Sequence, residues 1–210
     1  MISERDYYNA LEIRHGKDNQ KKFNGATVAI CGLGGLGSNV AIALARAGIG
    51  KLILIDFDEV DITNIHRQQY KVSQIGMPKT QALKENLLEI NPFIKIEAFQ
   101  TKITEANVID LVKAADVVCE AFDNPEAKAL LVNTVLESLP EKYIVSGSGM
   151  AGFGSANLIN TKKISKRFYL TGDGVSDVND GIGLISSRVM VCAAHEAHMI
   201  LRILMGECNP

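Results

Sequence analysis

Short apolar runs alternate with longer amphipathic stretches along most of this chain. Residues 26–31 (ATVAIC) form an unbroken apolar run between Gly25 and Gly32, the pattern of a strand covered on both faces. Over 35–47, Leu36, Val40, Leu44 and Ala47 recur on one face and Gly48 follows, which predicts a helix with a glycine stop. Residues 51–55 (KLILI) predict a second strand closing at Asp56. Residues 79–90 predict a helix from the spacing of Leu83, Leu87 and Ile90, entered after Pro78 and left before Asn91-Pro92. The alternation then continues with a strand over 94–99, a short helix over 105–114, a strand over 116–120, a helix over 127–139 and a strand over 143–145.

This order predicts an α/β fold of the Rossmann-like, doubly wound type with a mainly parallel sheet. Right-handed crossovers would gather the carboxyl ends of the strands along one edge, where ligands bind. Beyond residue 145 the pattern changes. Residues 146–154 (SGSGMAGFG) are a glycine-rich connection, and 155–159 with 167–170 predict a small antiparallel addition. Residues 171–183 are polar and glycine-rich, and 184–205 predict a closing helix interrupted by His195, Glu196 and His198. With no internal repeat and no low-complexity linker, 1–210 reads as a single domain.

Charge and cysteine usage narrow the function classes. Lys plus Arg is 22 against 24 for Asp plus Glu, a net charge of −2 that argues against a general nucleic-acid or anionic-membrane binder. Cys31, Cys119, Cys192 and Cys208 form no C-x-x-C pair, so zinc is not expected. The charged segment 1–6 lacks the apolar core of a signal peptide, and no apolar stretch is long enough to span a bilayer, so the expected location is cytoplasmic. His195 and His198 stand three apart on the closing helix without a third ligand nearby, which favours a helix surface or subunit contact over a metal site.

Candidate chemistry begins at Gly32-Leu33-Gly34-Gly35-Leu36-Gly37, a G-x-G-x-x-G turn between the first strand and the first helix. Glycine lets the backbone approach a phosphate, and the helix start offers free N–H groups and partial positive charge. Asp56 closes the next strand, where an acid accepts hydrogen bonds from ribose hydroxyls. A turn that merely packs helix on strand is the plain alternative, and the turn alone does not choose between NAD and ATP. Arg67 could grip phosphate oxygens bidentately, and Lys79, opening a helix, could act as a point charge beside them. Asp123, at a strand's carboxyl end, is placed to hold Mg²⁺. Taken singly, Arg67 and Lys79 also read as solvated charges, and Asp123-Asn124 as a helix cap.

The joint order is glycine turn, Asp56-Phe57-Asp58, Asn64-Ile65-His66-Arg67-Gln68, Gly76-Met77-Pro78-Lys79, then Asp123-Asn124. It resembles the ThiF/MoeB/ubiquitin-activating enzyme superfamily, most of all the ThiF-type adenylyltransferases of thiamine thiazole synthesis. The resemblance implies ATP- and Mg²⁺-dependent adenylylation of the C-terminal Gly-Gly carboxylate of a ubiquitin-like sulfur carrier, by a homodimer. By the same resemblance Asp56 binds the ribose and Asn64, Arg67 and Lys79 contact phosphates. Asp123 takes the metal, and Gly32, Gly34, Gly35, Gly37 and Asp58 complete the nucleotide site. A carboxylate is already ionised at pH 7 and needs no general base, so the lack of a nucleophile–base constellation is expected.

The chain also departs from the pattern. It lacks the paired C-x-x-C motifs. Where an R-Y-x-R-Q segment is usual it carries Tyr7-Tyr8-Asn9-Ala10-Leu11-Glu12, with Arg14 a turn later as a candidate substitute. The loops 146–154 and 171–183 hold no cysteine, which argues against a covalent acyl-cysteine step. Other superfamily substrates (a molybdopterin-synthase carrier, or a tRNA), an NAD-dependent oxidoreductase and a non-catalytic carrier-binding module are the competing readings.

Overall fold

A computed structural model describes residues 2–210; Met1, part of the charged opening segment, lies outside them. Six strands run parallel: β1 (Thr27–Cys31), β2 (Lys51–Asp56), β3 (Lys95–Gln100), β4 (Val117–Glu120), β5 (Tyr143–Gly147) and β7 (Phe168–Gly172). The seventh, β6 (Asn160–Lys163), lies antiparallel to β7 at one edge. Their order, β3-β2-β1-β4-β5-β7-β6, reverses direction between β1 and β4 and opens a crevice at the carboxyl ends of those two strands.

Two helices, α1 (Glu4–His15) and α2 (Lys17–Gly25), precede the sheet. Helices α3 (Gly35–Ala47), α4 (Lys79–Ile90) and α7 (Ser186–Met205) cover one face, while α5 (Val108–Val112) and α6 (Pro125–Ser138) cover the other. Strand alternation feeds both layers. In β1, Val28 and Ile30 pack with Leu44, Leu83 and Ile200, whereas Ala29 and Cys31 pack with Val118, Leu131 and Ile144. Burial on both faces is why this strand reads as an unbroken apolar run.

Several boundaries differ from the sequence expectations, each for a local reason. Residues 155–159 are not a strand. Ala156–Leu158 is a 3₁₀ turn whose start is capped by the Ser155 hydroxyl, which accepts from the Asn157 N–H at 3.3 Å, and the strand begins at Asn160. Its partner β7 also pairs with β5, so the expected antiparallel addition is joined to the edge of the main sheet. The helix expected over 105–114 shrinks to α5 because Asn107 is spent on a turn, accepting from the Thr104 N–H at 2.8 Å and donating to the Lys102 carbonyl at 3.0 Å. Helix α6 starts earlier than expected, since Asn124 caps it through the Ala127 N–H (2.8 Å) and Pro125 suits its first turn. The closing helix starts at Ser186, because Leu184 bridges to Ala151.

The apolar side of α7 is used within the chain: Val189, Cys192, Ala193, Ile200 and Ile203 are buried with α3 and the sheet in one core. His195 meets the Thr161 hydroxyl at 3.1 Å and His198 is exposed. No helix of the described residues is long and apolar enough to cross a membrane.

Candidate active site

The glycine turn is shaped by how closely three backbones meet. Gly32 adopts φ +92, and a Cβ there would stand 2.8 Å from the Ala121 carbonyl oxygen of the β4–α6 turn. At Gly37 a Cβ would fall 1.8 Å from the Gly32 oxygen. These two glycines let β1, β4 and α3 close on one another. Gly34 caps α3 without a side-chain hydrogen bond, so no side-chain acceptor is spent on the helix's opening amides, which suits them to an anion.

The segment carrying Arg67 lies against this turn. A Cβ on Gly35 would meet Arg67 Cγ at 3.5 Å, and one on Gly34 would meet Gln68 Nε2 at 3.7 Å. The Asn39 amide donates to the Gly35 carbonyl (2.6 Å) and the Arg67 carbonyl (3.1 Å), Gln69 donates to Asn39 (2.7 Å), and the buried Tyr70 hydroxyl donates to the Leu33 carbonyl (2.8 Å). Arg67 is half-buried, with its Nε lacking a partner among the described residues. Burial lowers its pKa and the nearby Asp123 carboxylate opposes that, which sets the two within electrostatic reach across the crevice.

Asp56 is buried at the end of β2. Its carboxylate accepts from the Leu33 N–H at 2.6 Å and the Asp58 N–H at 2.7 Å. Burial raises its pKa; Lys79 and the two N–H donors oppose that in part. Lys79 is only 5% exposed and pairs with Asp58 at 2.8 Å. Sequence reasoning placed Lys79 as a charge facing phosphates; in the structure it already neutralises the Asp56–Asp58 acid pair. Asn64 is half-buried in the turn leading to Arg67, its carbonyl accepting from the Arg67 N–H at 3.2 Å.

Contacts link Lys79 to Asp58, Asp58 to Asp56, Asp56 to Leu33 and the turn to the Arg67 segment, and Asp123 lies within electrostatic influence of Arg67 without a bond to it. Asp123 is exposed at the carboxyl end of β4. An exposed carboxylate in this position suits Mg²⁺ where phosphate oxygens and water complete its shell. No cluster of three or more His, Cys, Asp or Glu suited to a metal occurs among the described residues. Burial pushes the Cys31, Cys119 and Cys192 thiols up, Cys192 to about 12, the reverse of thiolate activation.

The model of the ThiF family matches residues 8–210. The chain belongs to the ThiF family. Among its relatives, the adenylyltransferase and sulfurtransferase UBA4 of Lodderomyces elongisporus is 31% identical over 194 residues, 89% of this chain and 42% of that protein. The MOCS3 protein of Anopheles gambiae, also named adenylyltransferase and sulfurtransferase, is 36% identical over 198 residues, 91% of this chain and 44% of that one. The chain thus spans less than half the length of these relatives. In fold it matches the Escherichia coli tRNA N6-threonylcarbamoyladenosine dehydratase TcdA in complex with ATP, with a TM-score of 0.87 and 23% identity over 99% of this chain and 98% of that one.

The structure gives places to residues that the sequence assigned to no site. Asn39 and Tyr70 fasten the Arg67 segment, and Glu120 and Glu196 form a buried acidic centre behind the β4–α6 turn. The signal for Asn39 was a polar residue in a largely apolar helix, next to Ser38. Glu196 on α7 is fully buried, and its carboxyl oxygens find no hydrogen-bond partner among the described residues. Burial, then the Glu120 charge, pushes its pKa well up against the pull of Lys128 and the Thr171 hydroxyl. The folded chain keeps a proton that the unfolded chain releases above about pH 4.3, so this group costs stability as pH rises through that value. Glu196→Gln removes the titration. Its melting temperature is expected to gain on the parent between pH 5 and pH 8; a constant difference across that range would show that Glu196 is not held protonated.

Proposed function

We propose that this chain is an ATP-dependent adenylyltransferase acting on the C-terminal Gly-Gly carboxylate of a small ubiquitin-like sulfur carrier. The observation that carries this reading is the convergence of Asp56, Arg67, Lys79 and Asp123 on one glycine turn at the sheet's switch point. A carrier carboxylate oxygen attacks the α-phosphorus, the bond to the β-phosphate bridging oxygen breaks, and pyrophosphate leaves. The Gly34–Gly35 amides and Arg67 offset the charge that grows on the leaving group, and Asp56 orients the ribose. Lys79 holds Asp58 and Asp56 at low net charge, so that the acids beside the polyphosphate do not repel it. Mg²⁺, held by Asp123 and phosphate oxygens, would supply further neutralisation of the pyrophosphate.

Within this class, the carrier of thiamine thiazole synthesis is the finer proposal, and it rests on the sequence resemblance. The relatives named adenylyltransferase and sulfurtransferase support adenylyl transfer joined to sulfur chemistry. A probable molybdopterin-synthase adenylyltransferase of Porphyra purpurea, 34% identical over 57% of this chain, makes a molybdopterin-type carrier the rival substrate. A homodimer belongs to the same proposal. Arg14 is exposed on α1, whose Leu11 lies beside Gly48 at the end of the sheet away from the crevice, so it is the crevice of a second copy that Arg14 would have to reach.

Pyrophosphate exchange into ATP tests the reading, with a thiamine-type carrier, a molybdopterin-type carrier and tRNA as separate additions. Exchange that requires a carrier ending in Gly-Gly is the expected result. Exchange with tRNA alone would move the substrate to RNA. Stabilisation by NAD but not by ATP·Mg²⁺ in a melting assay would replace the reading with an oxidoreductase.

A further inference from the structure

We infer that Glu120 is a positioning residue for this site, its buried carboxylate fixing the turn that carries Asp123. The inference rests on the adenylyltransferase reading above. Glu120 ends β4, is fully buried, and stands three residues before Asp123. One of its oxygens accepts from the N–H of Phe122, the residue immediately before Asp123, at 2.8 Å. The other is held by the Lys128 ammonium and the Ser146 hydroxyl. Lys128 also donates to the Gly147 carbonyl at 2.9 Å. One carboxylate therefore joins the end of β4, the first turns of α6 and the end of β5.

The turn so held is also pressed on the glycine turn from behind. The Ala121 carbonyl carbon and oxygen and Phe122 Cδ1 lie within 2.8–3.0 Å of where a Cβ on Gly32 would stand. The close packing of Gly37 on Gly32 holds the glycine turn to α3 independently, so a rotation of 121–123 would move Asp123 against a turn that stays in place. Asp123 is exposed and makes no side-chain bond among the described residues, so its direction comes from the peptides before it. A buried ion pair is not needed for stability as such, since an apolar pair of similar volume often serves as well. What an apolar residue at 120 cannot do is accept the Phe122 N–H and hold Lys128 across to β5.

Two readouts test this on the whole chain. ATP affinity is measured by calorimetry in Mg²⁺ and in EDTA, and amide hydrogen exchange is followed at Phe122 and Asp123, for the parent, Glu120→Gln, Glu120→Leu and Lys128→Met. Glu120→Gln keeps shape and an acceptor, so it remains informative if the leucine variant fails to fold. The affinity gained from Mg²⁺ is expected to fall about tenfold or more in Glu120→Gln and Lys128→Met, with ATP affinity in EDTA unchanged and amide exchange at Phe122 faster. Affinity falling equally in Mg²⁺ and EDTA would mark a general structural role and overturn the inference, as would an unaltered Mg²⁺ gain. A parent chain that binds no ATP at all fails the adenylyltransferase reading and takes this inference with it; a parent that binds ATP·Mg²⁺ while its variants do not differ fails the inference alone.

Discussion

Arg67→Ala is expected to slow carrier-dependent pyrophosphate exchange by about 10²–10³-fold. The Arg67 methylenes pack on Gly35 at the start of α3, with Asp123 in electrostatic range, which suits the guanidinium to the phosphates that leave. Charge moves onto that group only as the bond to the α-phosphorus breaks. Losing Arg67 therefore lowers kcat more than it raises the KM for ATP. Arg67→Lys should recover little, because an ammonium cannot reproduce a planar two-pronged contact. The melting temperature should hold within a few degrees, since the Arg67 Nε makes no bond within the chain among the described residues and the segment is fastened by Asn39, Gln69 and Tyr70. Exchange within twofold of the parent would place the phosphates elsewhere.

Gly37→Ala is expected to destabilise the chain by at least about 3 kcal/mol, roughly 6–12 °C in melting temperature for a chain of this size. The added methyl would fall 1.8 Å from the Gly32 carbonyl oxygen and 3.1 Å from Ile30 Cγ2. Neither neighbour can give way: one is the backbone of the turn, the other a core side chain on a central strand. Relief requires α3 to lift from β1, which opens the core and moves the anion-binding amides at the same time. Gly76→Ala is a useful contrast. Its added Cβ meets nothing within 4 Å, and its cost comes from a φ of +83 alone. Equal melting shifts in the two variants would show that close approach is not what Gly37 provides.

The central fold was legible because the determinants of β1, α3, β2, α4 and β4 are local and agree with the tertiary outcome. Unbroken apolar runs mark strands covered on both sides, and Pro78 and Gly48 mark helix ends where the structure has them. The two opening helices were not legible. Helix α1 buries none of its residues and is held by contacts distant in sequence, such as the Tyr7 and Tyr8 rings on Phe93 at 5.7 and 6.5 Å. Strand β6 was misplaced by a few residues because alternation says little in a strand that is exposed along most of its length, whereas β7 lies where it was expected. Candidate site residues on strand ends and glycine turns stood out in the sequence, since their chemistry is unusual at those places. The supports behind them were not. Nothing in the local sequence says that Glu120 reaches Lys128 and Ser146, or that Glu196, on a helix at the far end of the chain, is buried beside them.

The flanks of the sheet limit how this chain can meet others. β3 and β6 are its two outermost strands, and their side chains include Lys95 and Glu97 on one and Lys162 and Lys163 on the other. A visiting strand adding to either flank would have to desolvate those charges, a common guard against edge-to-edge association. Recognition of an extended segment by lengthening the sheet at either flank is thereby disfavoured.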